Sequence, residues 1–310
     1  MTQQHRTGSS GGSRRAAVIG LGSMGLGMAQ SLVRGGFAVS GFDVSPGALE
    51  RLAEAGGTAA SSPAEAAGDA EAVVAAVVNA AQTEAVLFGP GGCAAAMPEG
   101  AVFISSATMA PEAARGLASR LEGTGRLYLD APMSGGAARA AEGSLTMLAS
   151  GSPAAFERAR PALDAMTGTL YELGAEAGQG AAFKMVNQLL AGVHIAAACE
   201  AIAFAAKQGL DLARVYEVIT KSAGNSWMFE NRIPHVLQGD YSPKSAINIF
   251  TKDLGIVIDM ARQSQFPVPI AGAALQMYLM SAAAGMGGDD DASVARLYAQ
   301  IAGLSLPDGR

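Results

Sequence analysis

Gly20-Leu21-Gly22-Ser23-Met24-Gly25 follows the short apolar run Ala16-Ala17-Val18-Ile19 and opens a helical stretch, Leu26 to Arg34. In that setting each glycine has its own task. Gly20 permits a tight turn, Gly22 lets a pyrophosphate approach the backbone, and Gly25 allows close helix-to-strand packing. The helix start, with Leu21, Ser23 and Met24 in the same turn, offers N–H groups and the positive end of its dipole to the phosphates. Asp43 ends the next apolar run at roughly the 20-residue spacing where an acid accepts hydrogen bonds from the adenosine ribose. Its charge repels a 2′-phosphate and Val44-Ser45-Pro46 offers no Arg to hold one, so NAD is expected rather than NADP. The plainer reading is a structural glycine bend with Asp43 capping the Ser45-Pro46 turn.

A second constellation is Ser134-Gly135-Gly136, just after the predicted strand Leu127 to Leu129, where open α/β sheets place ligands. Two glycines let backbone N–H groups approach an anion and the Ser hydroxyl adds a donor, which makes a carboxylate clamp. A flexible turn is the alternative on composition alone.

The elements that position these loops alternate. Apolar runs at 16–19, 37–42, 71–78, 101–105, 127–129, 145–150 and 170–173 are separated by helical stretches, the rhythm of a parallel sheet. Ser62-Pro63-Ala64-Glu65 marks one helix start, with a capping Ser, Pro at the first helical position and Glu three residues after the cap. Beyond Gly178 the pattern becomes long helices at 180–208, 212–222, 247–264, 269–284 and 293–302. The expected fold is α/β: a disordered tail over 1–15, a Rossmann domain over 16–177, and an all-helical substrate and oligomerisation domain over 178–310.

Composition excludes several classes. A net charge of −6 and 5% aromatic residues leave neither a basic face nor stacking platforms, so nucleic acid is not an expected partner. Cys93 and Cys199 lie far apart without ligand-spaced neighbours, which fits a reducing, cytoplasmic setting. The greasiest run, Leu189 to Ala206, is interrupted by His194 and Glu200 and reads as a buried helix rather than a membrane span. Asp289-Asp290-Asp291 has no second oxygen cluster, so no metal is expected and capping of the last helix suffices as a role. Helices as apolar as 180–208 and 269–284 carry surplus greasy surface for a small domain, which implies a homodimer or homotetramer.

Four motifs in order, the Gly20 loop, Asp130-Ala131-Pro132-Met133-Ser134-Gly135-Gly136, Gly178-Gln179-Gly180 with Lys184 and Asn187, and Lys252-Asp253-Leu254, give the chain its wider likeness. From Ala16 to about Gly303 it resembles the β-hydroxyacid dehydrogenase family, which includes 3-hydroxyisobutyrate dehydrogenase and tartronate semialdehyde reductase. The resemblance implies that Lys184 is the acid/base, that Ser134, Gly135, Gly136, Asn187 and Gln188 bind a hydroxy acid through its carboxylate and hydroxyl, and that Thr108 and Lys252 lie beside the nicotinamide end of NAD. Gln188 departs from the Asn usual in the family, and Ala107 from the usual Ser.

The lysine role makes physical demands. A neutral amine must accept the hydroxyl proton, so its pKa must fall from about 10.4 towards neutrality. Ala181, Ala182, Phe183, Met185 and Val186 surround Lys184, so burial is the larger expected cause, with Lys252 adding to it. Asn187 and Gln188 share its helix face. An exposed Lys on an amphipathic helix, and a surface Lys252 paired with Asp253, are the bland alternatives; His194 reads as a core His. Within the family, 187–206 and 223–237 look most like the branch that oxidises the 2-hydroxyl of L-threonate, with Gln188, Asn225 and Ser226 as candidate hydroxyl partners. A nucleotide-binding scaffold without catalysis is the reading from a different class.

Overall fold

The computed structural model describes residues 13–307. Within them the chain forms two compact units, one reaching to Ala107 and resuming over Pro111–Ala181, the other made of Thr108–Ala110 and the chain from Ala182 onward. Of the expected tail, 1–12 lies outside the described residues. The rest is not tail: Ser13 Oγ donates to the Gly36 carbonyl at 2.8 Å, and Arg15 begins the first strand.

The first unit runs β1 (Arg15–Ile19), α1 (Ser23–Arg34), β2 (Ala38–Phe42), α2 (Pro46–Glu54), β3 (Thr58–Ala59), α3 (Pro63–Ala67), β4 (Ala72–Ala75), α4 (Ala80–Phe88), β5 (Val102–Ser105), α5 (Pro111–Glu122), β6 (Leu127–Asp130), β7 (Met133–Ser134), α6 (Gly136–Glu142), β8 (Leu145–Gly151), α7 (Pro153–Met166) and β9 (Thr167–Glu172). The sheet order is β3-β2-β1-β4-β5-β6-β8-β7, with β9 beside β8. Strands β1 to β6 pair in parallel, and β4 and β5 are buried along their whole length, as a sheet covered by helices on both faces requires.

Past β6 the expected parallel order is interrupted at β7 and β8 and resumes where β9 pairs in parallel with β8. At the interruption Met133 and Ser134 pair antiparallel with Met147 and Thr146, so the chain folds back on itself and β8 meets β6 antiparallel.

Small residues bring α1 and α6 together. A Cβ on Gly27 would lie 2.6 Å from the Ala141 nitrogen, and Ser31 Oγ donates to the Ala140 carbonyl at 2.8 Å. The helix that follows the Gly20 loop is thereby packed on the helix that follows Ser134-Gly135-Gly136, so both loops lead into one packed helix pair.

The second unit contains α8 (Gln179–Lys207, whose first three residues belong to the first unit), α9 (Leu212–Ile219), α10 (Trp227–Gln238), α11 (Ile247–Gln263), α12 (Pro269–Ser281) and α13 (Val294–Ala302). Among the described residues α8 alone is long and apolar enough to cross a membrane, with mean hydropathy 1.9. Its Ile195, Cys199 and Ile202 are fully buried in the core of this unit. Gly192 lets α11 close on α8, since a Cβ there would come within 3.0 Å of Leu254 and Phe250. Tyr278 stacks on Phe250 and donates to the Gly192 carbonyl at 2.9 Å.

Helix α10 is absent from the sequence reading and carries Pro234 inside it, yet its ends are marked: Ser226 accepts from Phe229 N–H, and Gly239 closes it in the left-handed region. The tract expected as one helix over 269–284 ends regularly at Ser281 and widens to Met286 around the left-handed Gly285.

Gly27→Ala forces a shift between α1 and α6, so it should lower stability by about 1–3 kcal/mol, the usual cost of overpacking, in urea unfolding. Gly22→Ala, which adds a Cβ in open space, should unfold close to the parent.

Candidate active site

In the first unit the three glycines differ as their expected tasks require. Gly20 has φ +88°, and a Cβ there would sit 2.8 Å from the Ala76 carbonyl oxygen. A Cβ on Gly25 would lie 1.8 Å from the Gly20 carbonyl, whereas one on Gly22 meets nothing within 4 Å. The turn is therefore closed towards the sheet and open above Gly22, where Ser23 is also exposed. Leu21 is fully buried and Met24 half-buried, so their share of the loop is backbone and packing.

Asp43 accepts from Leu21 N–H at 2.6 Å and from Ser45 N–H at 2.8 Å. Its carboxylate thus caps the Ser45 turn and is also aimed at the glycine loop. Val44 beside it is 90% exposed. An open backbone cradle at a helix start with an acid fixed beside it fits a dinucleotide without a 2′-phosphate.

Ser134 pairs in β7, and Gly135 and Gly136 take φ +138° and +79°. Two successive residues in the region favouring glycine turn the chain from β7 into α6. The segment forms a corner between β7 and α6. Arg139 lies on α6, exposed, with its Cδ 2.9 Å from where a Cβ on Gly135 would be.

In the second unit, α8 and α11 bring Lys184, Asn187, Gln188, Lys252 and Asp253 together. Asn187 Nδ2 donates to Gln188 Oε1 at 2.9 Å, and Gln188 Nε2 donates to Asp253 Oδ2 at 2.5 Å. Asp253 Oδ1 pairs with Lys252 Nζ at 2.6 Å, and the same ammonium donates to the Thr108 carbonyl at 3.3 Å. Lys184 is 7% exposed, against the reading of an exposed lysine, whereas Lys252 does pair with Asp253 as the plainer reading has it, from a half-buried position.

Burial brings the Lys184 amine down to about 8; Lys252 pushes the same way, and Asp253 opposes both. The opposition from Asp253 is the part the sequence reading lacked. Asp253 had appeared there within the Lys252-Asp253-Leu254 motif and as a surface partner for Lys252, without a part in the lysine's titration, and the signal available was its place in an apolar helix face between Phe250 and Val257.

Three expectations change. Gln188 spends both ends of its amide on Asn187 and Asp253, so it links neighbours rather than standing open to a ligand. Asn225 donates to Glu230 and to the Thr220 carbonyl, which leaves its buried Oδ1 as an acceptor, and Ser226 accepts from Phe229 N–H at the start of α10, so both also serve the local backbone. The aspartate run does more than cap. Asp290 caps the short turn before α13 and also meets His235 at 2.8 Å, while Asp291 pairs with buried Arg232 and Asp289 with Arg296. Among the described residues no three His, Cys, Asp or Glu side chains cluster as metal ligands.

Residues 15–174 match the model of the NAD-binding domain of 6-phosphogluconate dehydrogenase, and 178–298 match the NAD-binding region of NADP-dependent 3-hydroxyisobutyrate dehydrogenase. The chain belongs to the 3-hydroxyisobutyrate dehydrogenase family. It is an NAD-dependent hydroxy-acid dehydrogenase. Over 295 residues it is 54% identical to L-threonate dehydrogenase of Cupriavidus necator, covering 95% of this chain and 98% of that one. L-threonate dehydrogenase of Escherichia coli K12 is 47% identical over 294 residues, 94% of this chain and 96% of that one. The crystal structure of 3-hydroxyisobutyrate dehydrogenase from Salmonella typhimurium superposes with TM-score 0.88 at 46% identity, covering 92% of this chain and 99% of that one.

Because Asp253 and Lys252 act on Lys184 with opposite signs, their removal should move its titration in opposite directions. Lys252→Met should raise the midpoint above that of the parent and Asp253→Asn should lower it, read from the lysine side-chain resonance by NMR. Equal midpoints in all three proteins would mean that burial alone sets the value.

Proposed function

We propose that this family member oxidises the 2-hydroxyl of L-threonate to the 2-oxo acid, 2-dehydro-L-erythronate, with Lys184 as general base. The observation that carries the lysine role is its burial, which brings the amine to about 8 beside Lys252 and Asp253. Bound NAD supplies the hydride acceptor. The chain's own part is proton transfer and grip. Neutral Lys184 accepts the hydroxyl proton at Nζ and is left as an ammonium, which Asp253 then stabilises. In the reverse direction the same ammonium returns the proton. Asn187, held by Gln188, supports orientation of the hydroxyl, and Ser134 with the Gly135 and Gly136 backbone supports a grip on the carboxylate. Gly20 to Gly25, Asp43, Thr108 and Lys252 make up the proposed cofactor contacts.

The substrate rests on likeness to the threonate enzymes. The Salmonella structure, named for 3-hydroxyisobutyrate at similar identity, favours that acid as the second reading. Assembly as a homodimer or homotetramer in the cytoplasm completes the proposal. Phe183, Val186, Leu190 and Phe204 on α8 are each about half exposed or more, an apolar stripe that supports self-association, and sedimentation reads its outcome.

Lys184→Ala should lower kcat by about 10²–10⁴-fold, the usual worth of a positioned base, while NAD binding by fluorescence stays near that of the parent. The sign of the pH dependence follows from the depressed pKa. Oxidation needs the neutral amine, so kcat/KM should rise through pH about 8 and level above it, whereas reduction should fall over the same range. A panel of L-threonate, erythronate, glycerate, tartrate and 3-hydroxyisobutyrate followed by NADH formation tests the substrate. L-threonate should give the highest kcat/KM, and 3-hydroxyisobutyrate in first place would overturn the assignment.

A further inference from the structure

The first turn of α8 is capped from a distance. Asp130, the last residue of β6, is completely buried, and its Oδ2 accepts from Gly178 N–H at 2.9 Å and from Ala181 N–H at 2.8 Å. Ser150 on β8 completes the arrangement: its hydroxyl accepts from Gly180 N–H at 2.9 Å and donates to Asp130 Oδ2 at 3.4 Å. A helix leaves its first N–H groups without partners inside the helix, and a nearby Ser, Thr or Asp usually serves them. Here the preceding residues, Ala177 and Gly178, have no polar side chain, and two strands of the sheet supply the acceptors instead.

The backbone has been brought down onto those strands to make this possible. A Cβ on Gly180 would lie 2.3 Å from the Leu148 carbonyl oxygen and 3.3 Å from Asp130 Oδ2, and Gly178 adopts φ +99°. The two glycines of Gly178-Gln179-Gly180 therefore have a specific cause, which is to seat a helix start on a carboxylate. Lys184 follows Ala181 by three residues, one turn along the same helix.

We infer that Asp130 is a positioning residue for Lys184: by holding the first turn of α8 through Gly178 and Ala181, with Ser150 on Gly180, it fixes the rotation and axial register at which the lysine is presented. This rests on the proposed role of Lys184. The held N–H groups favour the ionised form of Asp130 against the burial that pushes it up to about 6, with Arg115 also lowering it and Tyr128 the other titratable group that senses its charge. Near neutral pH it stays a carboxylate and keeps its grip. The groups acting on Lys184 itself are Asp253 and Lys252.

The test compares Asp130→Ala, Asp130→Asn, Ser150→Ala and Lys184→Ala in the full chain, measuring kcat, KM for NAD, the pH profile of oxidation and thermal melting. A misplacement of about 1 Å in catalytic geometry costs on the order of 100-fold, so Asp130→Ala should lose about that much in kcat with KM for NAD little changed. Its basic limb should move above pH 8, because a frayed first turn admits water to the lysine. Asp130→Asn keeps an acceptor oxygen and should recover most of the loss. If Asp130→Ala does not fold, Ser150→Ala carries the test, with a smaller fall in kcat and the same upward shift.

Parent kcat and parent pH limb in Asp130→Ala, or in Ser150→Ala where that variant stands in, would overturn the inference. So would Asn and Ala variants that lose activity only in proportion to melting temperature, with the limb unmoved. Retained turnover in Lys184→Ala would instead sink the lysine role. Collapse of Lys184→Ala beside a parent-like Asp130→Ala sinks the positioning role alone.

Discussion

An amine taken out of water resists carrying a charge, and the second unit is arranged around that fact. Lys184 lies among Ala181, Met185 and the core of α8, so its neutral form is favoured before any neighbouring charge is counted. Lys252 and Asp253, adjacent on α11, then act with opposite signs, one restraining the ammonium and the other welcoming it. A group that must be neutral at one moment and charged at the next needs both influences. The closeness of α8 and α11 that provides them depends on Gly192, on Leu254 and Phe250 packed against it, and on the Tyr278 hydroxyl bonded to its carbonyl.

The nucleotide half was legible in the sequence because its determinants are local. Gly20, Gly22 and Gly25 each answer to a steric condition set within a few residues or by the adjoining strand, and Asp43 lies at a distance fixed by one βαβ unit. The burial of Lys184 could be read in part: of its five apolar neighbours in sequence, Ala181 and Met185 are buried, whereas Phe183 and Val186 are exposed. What the sequence did not disclose was non-local. Asp253 and Gln188 meet across 65 positions of chain, and Asp130 meets Gly178 and Ala181 across about 50. Hydrophobic periodicity has no term for a carboxylate that caps another element.

Two misreadings have instructive causes. Helix α10 was missed although its Ser226 cap and Gly239 terminus were both in view; Pro234 inside it removes a single bond while the packing of Phe229, Ile233 and Val236 holds the rest. Asn225 and Ser226 were read only as partners of ligand hydroxyls, and the reading left out that Ser, Asn and Asp at a helix start also compete for backbone N–H groups, as Ser226 does for Phe229. The antiparallel return at β8 was hidden because β7 is two residues long.

The contrast between the crowded Gly20, Gly25 and Gly27 and the open loop after Asp43 has a practical side. Space around the three glycines is already occupied by carbonyls and neighbouring backbone, so none of the three can take a side chain without a shift. Val44, nine-tenths exposed, supports nothing. Redesign towards a phosphorylated cofactor therefore has a separate place to begin at Val44, whereas a change at Asp43 must also replace the bonds its carboxylate accepts from the Leu21 and Ser45 N–H groups.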